Sequence, residues 1–407
     1  MSEPWKSSRW FVSPWNYLDD ARKEFSFARN IKIHDVTLRD GEQQAGVMFR
    51  KDEKIRIAEK LAEAGVHRIE AGMPAVSKDD EDAIKQIVKM NLGPEIFAFA
   101  RCMVDDVKRA VDCGVNGIVM EIPSSEHIIE YAYRWPLAKA IDLSIKATQY
   151  AKEQGLYTVF FPIDSTRADM NWYLDLIEKI STEGHMDALV MVDTFGVLSP
   201  HATAQFVKRT KERIKKPLET HFHSDFGMGV ANTLVALASG AEVAHTTVMG
   251  IGERAGNTCM EETVLALLTM YGVDVGLKYD RLYELSKMVL ESARQDIPTN
   301  RPIAGDLLFS VESGIIATWV KNAGAEHILE VFPYHWELVG QKPAEIVMGK
   351  SSGIDSVAQW AERLGIQFTE AQANEMVQEV KAAAIEKKKL LTDEEFKAIA
   401  ERVIAKG

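Results

Sequence analysis

The chain has 407 residues, more than one ordinary domain uses and enough for a barrel of about 250 residues plus an appendage. Its hydrophobic share of 46% suits a globular protein with a full core. The net charge of −12 argues against a broad nucleic-acid-binding face, which needs clustered Lys and Arg, and obliges any phosphate-bearing substrate to find a local basic patch. Three cysteines, Cys102, Cys113 and Cys259, form no C-x-x-C pair, which argues against a thiolate zinc site and for a reducing, cytoplasmic setting.

Residues 1–30 mix Trp5, Trp10, Phe11 and Trp15 with Lys6, Arg9, Asp19 and Asp20. That composition reads as an arm packed on the main domain or on a partner subunit, not as a signal peptide. No apolar run is long enough to span a membrane. From Ile31 the chain alternates short β-type runs with helix-period segments. The predicted strands are Ile31–Thr37, Val66–Ala71, Glu95–Arg101, Gly117–Ile122, Tyr157–Ile163, Ala188–Asp193, Leu218–His223 and Val243–Met249. Helical periodicity fills Asp52–Ala64, Asp79–Met90, Val104–Cys113, Leu137–Gln154 and Ala202–Lys215 between them. Alternating strands and helices imply parallel pairing, and eight such units predict an α/β fold, a (β/α)₈ TIM barrel over residues 31–296. A doubly wound open sheet is the runner-up, but no Gly-rich fingerprint follows the first strand. Leu277–Asp296 reads as one more helix, and Pro298, Pro302 and Gly305 mark a boundary. Residues 297–407 then form a linker and helical subdomain, with helices predicted over Asp355–Leu364, Thr369–Lys387 and Thr392–Ala405. The last two open on capping boxes, Thr369 with Gln372 and Thr392 with Glu395.

In such a barrel, chemistry sits at the C-terminal ends of the strands. Ionisable and polar residues gather there: Thr37–Gln43 after the first strand, Glu70 after the second, Arg101 after the third, Asp164 after the fifth, Asp193-Thr194 after the sixth. His221 and His223, at i and i+2 on one strand, project to one face. Asp40 and Asn257 lie at neighbouring strand ends once the barrel closes, so the four make a mixed N/O site suited to Mg²⁺, Mn²⁺, Zn²⁺ or Co²⁺. A divalent ion there can chelate a 2-oxo acid and polarise its carbonyl. Arg39 can hold the oxyanion of an enolate; a structural ion pair with Glu70 or Asp193 is its alternative role. Arg101, Thr194 and Asp164 stand as substrate contacts, with a helix N-cap for Thr194 and a buried pair for Asp164 as the alternatives.

The segments TLRDGEQ (Thr37–Gln43), EAGMP (Glu70–Pro74), HFHSDFG (His221–Gly227) and GIGERAGN (Gly250–Asn257) resemble the DRE-TIM metallolyase superfamily, in particular its 2-isopropylmalate synthase and homocitrate synthase branch. The resemblance covers residues 31–270 and, more loosely, Pro302–Gly314 and Val339–Gly353. It implies Asp40, His221, His223 and Asn257 as metal ligands, Arg39 as the catalytic arginine, Gln43 as a neighbour of the acyl group and Thr194 on the 2-oxo acid carboxylate; Glu70, within the EAGMP segment, is a further catalytic candidate. The implied reaction is a Claisen-type condensation of an acyl-CoA with a 2-oxo acid, followed by thioester hydrolysis, in a homodimer.

The chain departs from that pattern at several positions. Val311 and Ile316 stand where the synthases carry histidines around the E-S-G-I stretch, and the G-K-H-S-G pattern reads Gly349-Lys350-Ser351-Ser352-Gly353. Ile163 replaces a carboxylate before Asp164, and Ile129 replaces the arginine that homocitrate synthases place after strand four, which disfavours 2-oxoglutarate as acceptor. An apolar side chain moves no proton, so the base half of the site is altered while the metal-and-arginine half is intact. A lyase or aldolase cleaving a 2- or 3-hydroxy acid or its CoA ester is the alternative activity, and a non-catalytic relative the third reading.

Overall fold

A computed structural model describes residues 3–406. Eight parallel strands close into a barrel in the order β1 to β8: Lys32–Asp35, Arg68–Glu70, Glu95–Arg101, Gly117–Pro123, Tyr157–Ile163, Ala188–Asp193, Leu218–Phe222 and Val243–Thr246. Closure is direct, with His34 of β1 paired in register to Arg68 of β2 on one side and to His245 of β8 on the other. Helices cover the outside, including Lys51–Ala64, Val104–Cys113, Leu137–Glu153 and Pro200–Arg213. The last begins earlier than its periodicity suggests, because Ser199 caps it and Pro200 occupies the first turn, where no amide partner is needed. Four predicted strands are shorter than expected, β1 and β2 at both ends. β7 stops at Phe222, and β8 at Thr246, since Val248–Gly250 turns with Met249 at φ 60°. The helix predicted over Leu277–Asp296 spans Leu282–Ser292.

The chain divides into two compact units, residues 14–297 with the barrel and residues 298–406 with 3–13. The N-terminal arm is therefore split. Tyr17 and Arg22 bond the carbonyls of Thr269 and Tyr271 in the barrel unit. Phe11 instead donates its amide to Pro333 in the other unit. That second unit carries the helices Gly314–Ala323, Ile354–Leu364, Glu370–Lys387 and Asp393–Ala405, the last two capped by Thr369 and Thr392 with Gln372 and Glu395 reaching back. Val311 is buried and Ile316 packs beside it in the unit's own core around Phe309 and Phe332, so at these positions the apolar replacements fill a core. Among the described residues, no helix is long and apolar enough to cross a membrane.

The barrel interior has an apolar part and a charged part. Phe97, Phe99, Val119, Val159, Phe161, Val190 and Val192 fill the first. A column of buried polar groups packs against Phe97. Arg68 donates to Glu219 at 2.7 Å, Glu219 meets His245 Nε2 at 2.7 Å, His245 stacks on His34 at 4.3 Å, and His34 Nε2 lies 3.3 Å from Glu70. Burial drives the His34 imidazole down to about 4, while the His245 contact and Arg68 hold Glu219 at about 2 despite its burial. Removing one partner of a buried pair strands the other charge, so Glu219→Ala should destabilise the fold by about 3–5 kcal/mol. Denaturant unfolding measures it; a loss within the range of a surface substitution would contradict the role given to this column.

Candidate active site and metal centre

The segment after β1 enters the barrel mouth because Asp35 holds it: Thr37 gives Asp35 both its amide and its hydroxyl, each at 3.0 Å. The Asp40 amide closes the turn on the carbonyl of Val36 at 2.9 Å. This aims Asp40 at the end of β7, where its Oδ2 lies 2.9 Å from His221 Nε2 and 3.7 Å from His223 Nε2. His223 bridges to Asn257, whose Nδ2 donates to the Ile251 carbonyl at 3.1 Å, which leaves its Oδ1 buried and unpartnered. Gly252 and Gly256 make that turn feasible. Both have positive φ, and a Cβ on Gly256 would lie 1.9 Å from the Gly250 carbonyl oxygen. Gly256→Ala should therefore displace Asn257 and lower stability by about 1–3 kcal/mol. A variant that melts with the parent and binds metal equally well would refute that account of the turn.

Asp40, His221, His223 and Asn257 are 2%, 1%, 4% and 3% exposed, and the ligand atoms of the first three fall within 4.8 Å of one another. Burial pushes His221 down to about 3 and lowers His223, so both imidazoles are neutral, the form that ligates. Although burial opposes it, Arg39 and the two histidines keep the Asp40 carboxylate far below its usual range. Asp40 Oδ1 and Asn257 Oδ1 are buried acceptors with no hydrogen-bond partner. Two neutral nitrogens and two oxygen acceptors, dry and unsatisfied, fit a small divalent cation.

Arg39 lies beside this set. Its Nε meets Glu70, its Nη1 reaches Gln43 Oε1 and Asp40 Oδ2 at 3.2 Å each, and its guanidinium stacks 3.8 Å from the Phe99 ring. Its Nη2 is buried without an acceptor. Of the two structural partners considered for Arg39, Glu70 is present and Asp193 is not, because Asp193 accepts from Thr166, Val197 and Leu198. Glu70 is fully buried between Arg39 and His34, so it positions the arginine and faces no open space. A cavity of about 410 Å³ opens on Arg39 and Gln43 and continues past Val47, Phe49, Lys51 and Met73.

The remaining candidates differ in what they can touch. Thr194 Oγ1 accepts the Asp164 amide at 2.8 Å, which leaves its hydroxyl hydrogen available. Asp164 is fully engaged: Arg167 binds both its oxygens, Ser125 donates at 2.6 Å, and His127 Nε2 lies at 3.1 Å. Direct substrate contact is thus closed to it, as the buried-pair alternative has it. Arg101 is likewise claimed by Asp106, through Nε at 2.7 Å and Nη2 at 3.0 Å, with 52% of its side chain exposed. Sequence reasoning passed over Glu219, although it precedes His221 at the same two-residue period, and Glu121 on β4. It also passed over the stacking of Arg167 and Arg254 on Phe195, at 3.8 and 5.3 Å, for which no local signal exists.

A closed parallel barrel with a buried Asp-His-His-Asn cluster at its C-terminal mouth defines a metal-dependent barrel enzyme class. Family comparison narrows this: the chain belongs to the HMGL-like family, matched over residues 30–289, and a homocitrate synthase post-HMGL domain-like segment follows at 303–388. It is 37% identical to homocitrate synthase AksA of Methanothermobacter thermautotrophicus, across 97% of this chain and 98% of that protein. A 2-isopropylmalate synthase of Methanocaldococcus jannaschii is 37% identical, across 95% and 74% of the two chains. The (R)-citramalate synthase CimA of the same organism is 36% identical, across 92% and 75%. These place it in the isopropylmalate and homocitrate synthase branch of the DRE-TIM superfamily. In fold it is similar to hydroxymethylglutaryl-CoA lyase from Pseudomonas aeruginosa, with a TM-score of 0.60 at 18% identity, across 66% and 95% of the two chains.

Proposed function

We propose that this protein joins an acyl-CoA to a 2-oxo acid in a Claisen-type condensation and hydrolyses the thioester, as an acyltransferase forming 2-hydroxy-2-alkyl dicarboxylates. The observation that carries this reading is the unpartnered Arg39 Nη2 beside the unsatisfied Asp40, His221, His223 and Asn257 donors. A divalent ion, Mg²⁺, Mn²⁺, Zn²⁺ or Co²⁺, held by those four would act as a Lewis acid on the acceptor carbonyl. Arg39 Nη2 is the donor for the enolate oxygen, since a fixed, dry guanidinium needs no reorganisation as charge develops. Gln43 and Glu70 hold that guanidinium in place, and the Thr194 hydroxyl can donate to the acceptor carboxylate. The cavity past Val47 and Phe49 suits the thioester arm of the donor. Ile129 is fully buried and offers no charge to a distal carboxylate, which favours acceptors without one. The reading includes a cytoplasmic homodimer, which three buried free cysteines and the family suit.

The test is a metal-supplemented screen of 2-oxo acids against acyl-CoAs that follows free thiol. Thiol release that needs both substrates supports the condensation. Cleavage of a hydroxy acid or its CoA ester, with no acceptor-dependent thiol, would replace it with the lyase reading, which the apolar Ile163 keeps in view.

A further inference from the structure

Glu121 lies on the inner face of the barrel, two residues beyond Val119 of the apolar interior and in register with Arg101 on β3 and Phe161 on β5. The Phe161 ring lies 4.9 Å from His221 and 5.9 Å from the Arg39 guanidinium, so Glu121 borders the same mouth. The side chain is half-buried and makes no hydrogen bond or ion pair among the described residues. Its neighbour Arg101 would be the obvious partner, but Asp106 takes that guanidinium through two bonds. The charged and titratable groups that face Glu121 are Arg39, Asp40, Arg101, Cys102, Asp106 and Tyr133. Burial raises its pKa, against the pull of Arg39 and Arg101. A half-buried carboxylate without a partner carries a desolvation cost that no ion pair offsets, and such groups collect at functional sites.

We propose that Glu121 is the base that takes the α-proton of the acyl thioester, in place of the groups lost at Ile163, Val311 and Ile316. This rests on the condensation reading above. The α C–H bond breaks and its electron pair forms the enolate double bond. The thioester carbonyl π pair moves to the oxygen facing Arg39 Nη2, and the proton goes to a Glu121 oxygen. The enolate C=C π pair then forms the bond to the keto carbon of the 2-oxo acid as the enolate oxygen's pair restores the thioester C=O, and the keto π pair becomes an alkoxide. The proton on Glu121 passes to that alkoxide, directly or through water, which restores the carboxylate for the next turnover.

The experiment uses the metal-loaded full chain, acetyl-CoA and trideuteroacetyl-CoA, and the acceptor found in the screen, with Glu121→Gln and Glu121→Asp beside the parent. The expected result is a fall in kcat of at least about 100-fold for Glu121→Gln, the usual size of a lost general base. Metal content and both KM values should be unchanged, the deuterium isotope effect on kcat should be larger, and Glu121→Asp should recover part of the loss. A Glu121→Gln protein that keeps kcat within about threefold of the parent overturns the proposal and leaves the condensation reading standing. So does one whose loss comes with released metal or an unchanged isotope effect. A parent that releases no thiol with any substrate pair overturns the condensation reading itself.

Discussion

His221→Ala and His223→Ala are each expected to remove the divalent ion and turnover together. Both imidazoles are buried and neutral and share Asp40 Oδ2 as their nearest acidic atom. Each supplies one of only four donors, and no other side chain on β7 can replace it, because Thr220 and Phe222 point to the opposite face of the strand and Glu219 is held by Arg68 and His245. The loss should exceed the roughly 10–100-fold typical of removing an outer partner of a ligand. Metal content of purified protein and acceptor-dependent thiol release are the two measurements. Full turnover after exhaustive chelation, or a metal-replete alanine variant with normal rate, would remove the metal from the mechanism.

Arg39→Lys is the second large effect. The guanidinium serves Glu70, Gln43 and Asp40 with two of its nitrogens and keeps the third free, all while stacked on Phe99. An ammonium is a point donor and cannot hold that fork. Losing a donor aimed at developing negative charge costs about 3 kcal/mol, so kcat should fall on the order of 100-fold with substrate KM values little changed. A lysine variant that turns over normally but melts lower would show that Arg39 serves Glu70 and the fold, with the oxyanion held elsewhere.

The number and order of barrel units, and the candidate residues at strand ends, were legible in the sequence because both rest on local periodicity. A two-residue period puts His221 and His223 on one face whatever the rest of the chain does. A capping box such as Thr392 with Glu395 acts within a single turn. The motif around Asp40 could be tied to the β7 histidines only by assuming closure, since β8 stands between β1 and β7.

What only the tertiary structure decided is the use each charge is put to, because ion pairing depends on distances in space, which the folded backbone sets for near and far neighbours in the chain alike. Asp164 and Arg101 look like free strand-end contacts in one dimension. In three, Arg167 and Asp106, three and five residues further on, fold back and occupy them. Glu121 looks like any other strand residue, yet closure puts it on the inner face, with Arg101 taken by Asp106 and Arg39 bonded to Glu70, Gln43 and Asp40. His34, Glu219 and His245 come from β1, β7 and β8, and no spacing along the chain announces that they stack inside one barrel. Sequence by itself determined which chemical groups reach the barrel mouth. Burial and pairing decided which of them remain free to act, because a buried charge is either satisfied by a neighbour or held ready at a cost the rest of the fold must offset.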